Sequence, residues 1–253
     1  MAIVRVLVLR AAGINCDEET EFAWKLAGAR ANSMHVNRLI ENPLLLSEYQ
    51  IITVPGGFSY GDDIAAGKIL GVHLARHLGE AVRSFVERGG LVLGICNGFQ
   101  ILVRAGLLPG VGCDVPVTLT RNDSGRYEAR WVTVRSESTH CAFLNRGEML
   151  EIPVAHAEGK FTVAEASHLT MLEKQDRVAL RYVCPSGGPP VFPENPNGSI
   201  GNVAGLTDAT GRVLGLMPHP ERSVVRTQHP AWSRDSSIES AGLRLFRRAV
   251  SRF

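Results

Sequence analysis

The residues best suited to carry out chemistry centre on a cysteine between two glycines, in the string GICNG at residues 94–98. An apolar, strand-like run at residues 91–95 leads directly into Cys96, and a helix-like segment follows it. This is the nucleophile-elbow pattern with cysteine in place of serine, in which glycines make room for a strained turn. The N-terminus of the following helix favours a thiolate and places the backbone N–H of Asn97 where an oxyanion would form. We therefore predict that Cys96 is a nucleophile; a structural cysteine packed near a tight turn is the alternative.

A second string, MPHPE at residues 217–221, offers the base and the orienting group that a thiol nucleophile needs. Pro220 restricts His219 to an extended conformation. Residues i and i+2 of an extended segment point to the same side, so the Glu221 carboxylate can fix the orientation of the imidazole. A surface turn with a solvated histidine and glutamate is the alternative. The catalytic interpretation is favoured because each string supplies what the other lacks.

Other candidate sites lack part of the pattern that their chemistry requires. His73 and His77 have helical spacing, but no further metal ligands follow at a recognisable distance. Residues 61–68 resemble a phosphate loop, yet five residues separate the glycines and Ile69 replaces the magnesium-binding Ser or Thr. Residues 110–112 lack the third glycine of a dinucleotide fingerprint. We therefore expect neither a metal nor a nucleotide cofactor on this chain. Four further cysteines have no elbow, and we interpret them as structural or incidental: Cys16, Cys113, Cys141 and Cys184.

The composition is that of an ordinary globular protein. Of the 253 residues, 45% are apolar and 21% are charged, which excludes a disordered chain. The net charge of +2 provides no electrostatic footprint for nucleic acid or for an anionic membrane. No apolar run approaches the ~18 residues of a membrane span, and the N-terminal apolar stretch is too short for a secretory signal. Five cysteines without paired spacing fit a reducing compartment, so we expect a cytoplasmic protein.

The first half of the sequence alternates strand and helix signals. Strand-like runs occupy residues 3–9, 51–54 and 91–95, and helix-like runs occupy 15–28, 70–86 and 99–103. In the first helix we expect Asn15 and Glu18 to form a capping box and Phe22 and Leu26 to share one face. This alternation predicts an α/β fold with a doubly wound, mostly parallel sheet and flanking helices.

The second half of the sequence is less regular. Strand-like pieces occupy residues 131–134, 178–183 and 213–217. The stretch 184–198 is rich in proline and glycine and predicts a loop. Ser236 with Glu239 predicts the start of a last amphipathic helix that continues through Val250. No repeat or linker divides the chain, so we expect one domain over residues 1–253.

Six blocks of sequence resemble a known family. With Cys96, His219 and Glu221 together, the chain resembles the class I, triad-type glutamine amidotransferases. The blocks resemble more particularly the glutaminase subunit of phosphoribosylformylglycinamidine synthase, from purine biosynthesis. They are RAAGINCD at 10–17, VPGGFSYGDDI at 54–64, GICNGFQILV at 94–103, PVAHAEGKFT at 153–162, NPNGSIG at 195–201 and LMPHPERS at 216–223. Together they occur in the family's order and span nearly the whole chain.

The resemblance implies a reaction and roles for the triad. Cys96 would attack the side-chain amide of glutamine, forming a γ-glutamyl thioester and expelling ammonia. His219 would act as general base and acid, and Glu221 would orient it. A peptidase or deglycase of related fold, or a regulatory module without activity, is the alternative. The first group usually lacks the His-Pro-Glu arrangement, and a regulatory module would be expected to have lost a triad member.

The resemblance also implies roles for residues near the triad. Gly57, in the Pro-Gly-Gly turn, would supply an oxyanion N–H beside that of Asn97, and Gln100 would contact the bound glutamine. His156 and Glu158 would support the site, face the partner or be purely structural.

The resemblance further implies a partner. Ammonia would pass to a separate synthetase subunit, which uses ATP and magnesium to amidate formylglycinamide ribonucleotide, and a small third subunit would complete some complexes. The chain begins at the first strand and ends after the last helix, so we expect a free-standing subunit. The stretch 185–194 is longer than in short bacterial versions of this subunit. This difference affects the details that we expect for docking of the subunit on its partner.

Overall fold

A nine-stranded sheet collects strands from both halves of the chain. The computed structural model describes residues 3–236 and 240–253. The strands are β1 (Arg5–Arg10), β2 (Arg30–His35), β3 (Ile51–Val54), β4 (Leu91–Ile95), β5 (Val117–Arg121), β6 (Glu128–Ser136), β7 (Met149–His156), β8 (Glu158–Val163), β9 (Val178–Tyr182), β10 (Val203–Thr207) and β11 (Val213–Leu216). The helices are α1 (Asp17–Leu26), α2 (Val36–Glu41), α3 (Lys68–His77), α4 (Gly79–Glu87), α5 (Asn97–Arg104), α6 (Ala166–Lys174) and α7 (Ala241–Val250). Short 3-10 segments lie at Pro43–Glu48, Ser59–Asp62, Ile200–Asn202, Pro220–Arg222 and Arg226–Gln228.

The sheet has a parallel half and an antiparallel half. Its strand order is β2-β1-β3-β4-β11-β10-β9-β6-β7, and β5 pairs with β8 in a separate ribbon. Strands β2, β1, β3, β4 and β11 run parallel, whereas each pair from β11 to β7 is antiparallel. The doubly wound α/β class is therefore confirmed, and the strands of the second half make the sheet mixed. Strands β10 and β11 are joined by five residues, which is too short for the crossover that a parallel pair needs.

The central strands are apolar because helices cover both faces of the sheet. Every residue of β3, β4 and β11 is buried, as is typical of parallel strands without a solvent-facing side. In register, Gly94 of β4 lies between Val54 of β3 and Gly215 of β11. The carboxyl ends of these three strands therefore meet at one edge of the sheet. The segments that follow them contain Gly56, Cys96 and His219.

Three helical segments differ from the sequence expectation. The helical run at residues 70–86 is divided into α3 and α4, because the backbone leaves the helical region at the buried residue Leu78. Helix α1 begins after Cys16 and not after Asn15, and no side-chain hydrogen bond caps it in the described chain. The capping box predicted for Asn15 and Glu18 is therefore wrong.

The last helix, α7, begins at Ala241, whereas the sequence predicted a start at Ser236 and Glu239. Glu239 lies outside the described residues. In the described ranges, no helix combines the length and the apolar character needed to cross a membrane.

Helices α1 and α7 pack on each other through aromatic side chains. Trp24 is fully buried, its indole N–H donates to Thr53 Oγ1 at 2.8 Å, and its ring meets the edge of Phe246 at 4.8 Å between centroids. Phe22 and Leu26, which share a face as expected, point to solvent, and the Phe22 side chain is 51% exposed. Local periodicity located the helix but not its buried face, which contains Thr20, Ala23 and Trp24.

We expect Phe246→Ala to lower the free energy of unfolding by about 3–5 kcal/mol, because it removes a fully buried ring and leaves a cavity. Phe22→Ala is the matched control and should change it by no more than ~0.5 kcal/mol. Urea denaturation followed by tryptophan fluorescence measures both variants. Equal losses would contradict the packing described for α1 and α7.

Candidate active site

Cys96 occupies a strained turn between β4 and α5. Its φ of 52° and ψ of −107° lie in a region that non-glycine residues rarely adopt. The turn is possible because the residues that flank it are glycines. A Cβ on Gly98 would collide with the carbonyl oxygen of Val54, and one on Gly94 would lie 2.8 Å from the Gly98 carbonyl group. The structure therefore forms the elbow that the sequence predicted, with the thiol at the N-terminus of α5.

His219 and Glu221 form a buried pair directly after β11. The backbone N–H of His219 donates to the carbonyl of Pro153 at 2.7 Å, and its Nδ1 lies 2.6 Å from Glu221 Oε1. The two side chains are 2% and 0% exposed. Glu221 lies in the 3-10 segment Pro220–Arg222 rather than in an extended segment. The predicted pairing is present, but a tight turn produces it and not the alternation of an extended chain.

The electrostatic surroundings of His219 favour its protonated form. Burial is the largest single influence and opposes protonation, but the Glu221 carboxylate and the sulfur atoms of Cys96 and Cys16 together outweigh it. The pKa of His219 therefore lies well above its ordinary value. An imidazolium beside a cysteine stabilises the thiolate, which is the form that attacks carbonyl carbon.

Two cysteines, Cys16 and Cys96, lie beside His219 near Gly56. A Cβ on Gly56 would lie 2.9 Å from His219 Cε1, 3.2 Å from Cys16 Sγ and 3.5 Å from Cys96 Cβ. The Cys96 thiol itself donates to the carbonyl of Ala155 at 3.7 Å. The missing side chain of Gly56 thus lets the three residues pack close together.

Cys16 is a residue of the site that the sequence analysis left among the incidental cysteines. Its Sγ accepts from Arg222 Nη2 at 3.1 Å, and its thiol is 3.4 Å from Asn15 Oδ1. Desolvation by burial raises the pKa of this thiol, although its interaction with the neighbouring His219 side chain lowers it. Cys16 reaches the site through a bridge between Ile14 and Gly57, and no local motif indicates such a bridge.

The backbone N–H groups of Gly57 and Asn97, which are expected to form an oxyanion hole, lie in two loops that contact each other. Gly57 has a φ of 141°, and a Cβ there would lie 2.7 Å from the Asn15 nitrogen, so the turn requires glycine. The Asn97 side chain accepts from the backbone N–H of Ser59 at 3.2 Å, which ties the elbow to the segment after Gly57. This cross-link fixes the relative positions of the two donors.

Gln100 lies one turn after Cys96 on α5 and is bound by the protein at both ends of its carboxamide. Its Oε1 accepts from Asn97 Nδ2 at 3.1 Å, and its Nε2 donates to the backbone carbonyl of Glu158. The Glu158 carboxylate in turn accepts from the backbone N–H of Ala66 at 3.2 Å. Glu158 therefore links α5, through its backbone carbonyl, to the segment before α3, through its carboxylate. The contact of Gln100 with glutamine stays a prediction.

His156 is buried next to the site and held neutral. Its Nδ1 lies 3.2 Å from Asn122 Oδ1, and the ring is 4% exposed. Burial, followed by the positive charge of His219, lowers the pKa of His156 to about 3. A buried neutral ring of this kind favours the structural alternative for His156.

The other candidates of the sequence analysis are not part of this site. His73 and His77 lie on one face of α3, and their ring centroids are 5.8 Å apart. The His73 ring also stacks on the ring of Tyr60, with 6.0 Å between the centroids. Cys141 is buried, which raises the pKa of its thiol to about 11, and Cys113 and Cys184 are partly exposed.

Comparisons with known proteins agree on the family. The model of the CobB/CobQ-like glutamine amidotransferase domain matches residues 3–253. The phosphoribosylformylglycinamidine synthase subunit PurQ of Dehalococcoides mccartyi is 43% identical over 256 residues, covering 99% of this chain and 98% of that protein. The subunit of the same name from Archaeoglobus fulgidus is 39% identical and covers 87% of this chain and 88% of its own length.

Solved structures give the same result. A chain from the structure of PurLQS from Thermotoga maritima superimposes with a TM-score of 0.76 at 30% identity, and 99% of each chain is covered. A glutamine amidotransferase from Thermotoga maritima has a TM-score of 0.57 at 16% identity over 100% of this chain and 98% of its own, which supports the fold alone. The chain therefore belongs to the family of phosphoribosylformylglycinamidine synthase PurQ subunits, whose domain is the CobB/CobQ-like glutamine amidotransferase domain.

Proposed function

We propose that this chain is the glutaminase subunit of phosphoribosylformylglycinamidine synthase. It hydrolyses L-glutamine to glutamate and ammonia and supplies the ammonia for the ATP-dependent conversion of formylglycinamide ribonucleotide to formylglycinamidine ribonucleotide. The observation that carries the proposal is the convergence of the Cys96 elbow and the buried His219–Glu221 pair around Gly56. The PurQ relatives supply the reaction to which this chemistry belongs.

The first half of the proposed reaction forms a thioester. The Cys96 thiolate attacks the carboxamide carbon of glutamine, and the carbonyl oxygen becomes an oxyanion. The N–H groups of Asn97 and Gly57 stabilise this oxyanion; one such donor is worth ~10²–10³ in rate. The His219 imidazolium gives its proton to the leaving nitrogen, and the carbon–nitrogen bond breaks to release ammonia.

The second half of the reaction regenerates the thiol. His219, now neutral, takes a proton from water while the water oxygen attacks the thioester carbon. The carbon–sulfur bond breaks, glutamate leaves, and the Cys96 thiolate pairs again with the imidazolium. Glu221 holds Nδ1 protonated throughout, so that the opposite ring nitrogen exchanges protons with the substrate. In this proposal Gln100, which lies one turn along α5 from Cys96, contacts the bound glutamine.

The partner in this proposal is the synthetase subunit. The similar Thermotoga maritima chain comes from a structure of PurLQS, and we place this chain in an equivalent complex, with a small third subunit. ATP and magnesium bind to the synthetase in this scheme, and residues 1–253 act as one glutamine amidotransferase domain without a cofactor of their own. The reaction takes place in the cytoplasm, without nucleic acid or membrane as a partner.

Cys96→Ala should abolish glutamine-dependent synthesis by the assembled complex and leave ammonia-dependent synthesis intact, because only the supply of ammonia is lost. Cys184→Ala, at a partly exposed cysteine, is the control and should retain both activities. Steady-state assays with each nitrogen donor measure the effect. Loss of both activities in Cys96→Ala would refute the division of labour between the subunits.

A chloroketone analogue of glutamine should alkylate Cys96, and saturating glutamine should protect it, because both molecules occupy the same site. Peptide mapping by mass spectrometry identifies the modified cysteine. Labelling that is indifferent to glutamine would favour another thiol chemistry on this fold.

His219→Ala should lower the glutaminase rate of the complex by at least the ~10²–10⁴-fold expected of general acid–base catalysis. His219→Ala should also slow alkylation of Cys96 at neutral pH, since the imidazolium that stabilises the thiolate is gone. Glu221→Gln keeps the shape of the pair and should give a smaller loss than His219→Ala. Near-normal turnover in His219→Ala would require a different base.

A further inference from the structure

The buried pair of His219 and Glu221 has a third polar neighbour that the proposed reaction does not use. The thiol of Cys16 offers a donor atom that lies within 4.8 Å of one donor atom of each of the other two residues. All three residues are buried, and two distant segments of the chain supply them: Cys16 comes from one, and His219 and Glu221 come from the other. Cys16 precedes α1, His219 follows β11, and Glu221 lies in the 3-10 segment.

Two polar atoms of this cluster are unsatisfied. His219 Nε2 and Glu221 Oε2 are buried and have no hydrogen-bond partner among the described residues. Such atoms are costly unless a substrate, a water or an ion satisfies them. Among the described residues, Cys16 Sγ forms hydrogen bonds with Arg222 and Asn15. The cluster therefore contains potential ligand atoms that its own hydrogen bonds do not satisfy.

The chemistry of the three donors selects one class of ion. Thiolate, imidazole and carboxylate are the ligands of zinc and similar thiophilic divalent cations, whereas magnesium and calcium prefer oxygen donors. The charges also balance. A Cys16 thiolate and the Glu221 carboxylate together neutralise a dication. Arg222, which lies 3.1 Å from Cys16 Sγ and 3.9 Å from Glu221 Oε1, keeps Glu19 as a partner at 3.1 Å.

Gly56 allows Cys16 and His219 to approach each other. A Cβ at this position would lie 3.2 Å from Cys16 Sγ and only 2.9 Å from His219 Cε1, which is too close for either side chain to keep its place. The same glycine therefore lets His219 approach both cysteines, Cys16 and Cys96.

We propose that Cys16, His219 and Glu221 form an inhibitory binding site for a thiophilic divalent cation such as zinc. The ion is bound by one ring nitrogen of His219, the Cys16 sulfur and one Glu221 oxygen, and a water takes the fourth position. Binding displaces the proton of the Cys16 thiol and the proton on the coordinating nitrogen, so affinity falls as pH falls. The inhibitory consequence rests on the proposed function, because the ion removes the base that Cys96 needs. The binding of the ion does not rest on that function.

Cobalt(II) tests the binding directly, since it substitutes for zinc and absorbs light. Cys96→Ser protein is titrated with Co²⁺, so that the nucleophile cannot supply a thiolate. We expect a thiolate-to-cobalt band in the near ultraviolet and visible bands of a four-coordinate ion. Adding Cys16→Ser should remove the near-ultraviolet band, and adding Cys113→Ser, the matched control at a partly exposed cysteine, should leave it.

Two outcomes of this titration would overturn the proposal: no thiolate band in Cys96→Ser, or a band that persists after Cys16→Ser is added. Circular dichroism shows whether each variant is folded. If Cys16→Ser does not fold, Glu221→Gln in the Cys96→Ser background replaces it and should weaken cobalt binding by at least ~10-fold. Unchanged affinity in that variant would also reject the site.

Inhibition is tested separately in the assembled complex. Zinc should inhibit glutamine-dependent synthesis and leave ammonia-dependent synthesis unchanged, and Cys16→Ser should raise the half-inhibitory zinc concentration by at least ~10-fold. Each variant is compared with its own rate without zinc. Equal zinc sensitivity in Cys16→Ser would overturn the inhibitory role. A cobalt site in Cys96→Ser protein, together with no glutaminase activity in the wild-type complex, would instead uphold the binding site and refute the proposed function.

Discussion

The register of three parallel strands is the constraint on which the site depends. Gly94 of β4 pairs with Val54 of β3 on one side and with Gly215 of β11 on the other, so the three strands end at the same level. Each chain continues from that edge into a turn with limited freedom: the Pro-Gly-Gly turn, the Cys96 elbow and the His-Pro-Glu turn. A slip by one residue in any strand would reverse the side-chain direction of that strand and separate the thiol from the imidazole.

The interactions around this edge stabilise a costly arrangement. A buried imidazolium–carboxylate pair contributes little net stability, because desolvation offsets much of its attraction. Here the protein holds the pair through backbone contacts: the His219 N–H is bound to Pro153, and Gly242 at the start of α7 approaches the carbonyl of Pro220 so closely that a Cβ would collide. The unpartnered atoms His219 Nε2 and Glu221 Oε2 then remain available for ligands. Stability supplied by the sheet and its helices thus permits an energetically unfavourable cluster at its edge.

The parts of the site that are local in sequence could be predicted, and the parts made by tertiary contacts could not. The string GICNG contains its own reasons for an elbow, since the flanking glycines are the residues that the turn requires. The pairing of His219 with Glu221 was also predictable from spacing, but the turn that forms it was not. Cys16 was missed because a bridge between Ile14 and Gly57 brings it in, and pairing of distant segments leaves no local pattern. For the same reason, the apolar repeat through residues 70–86 concealed the break at Leu78, and the spacing of Phe22 and Leu26 did not reveal which face of α1 is buried.

The central claim is that Cys96, and not its neighbour Cys16, carries the covalent chemistry. The most direct test is to quench the assembled complex with acid during turnover of isotopically labelled glutamine and to map the protein by mass spectrometry. We expect a single glutamyl thioester, on the peptide that contains Cys96, and its disappearance on treatment with hydroxylamine. A thioester on the peptide that contains Cys16, or turnover at full rate without any trapped thioester, would contradict the account.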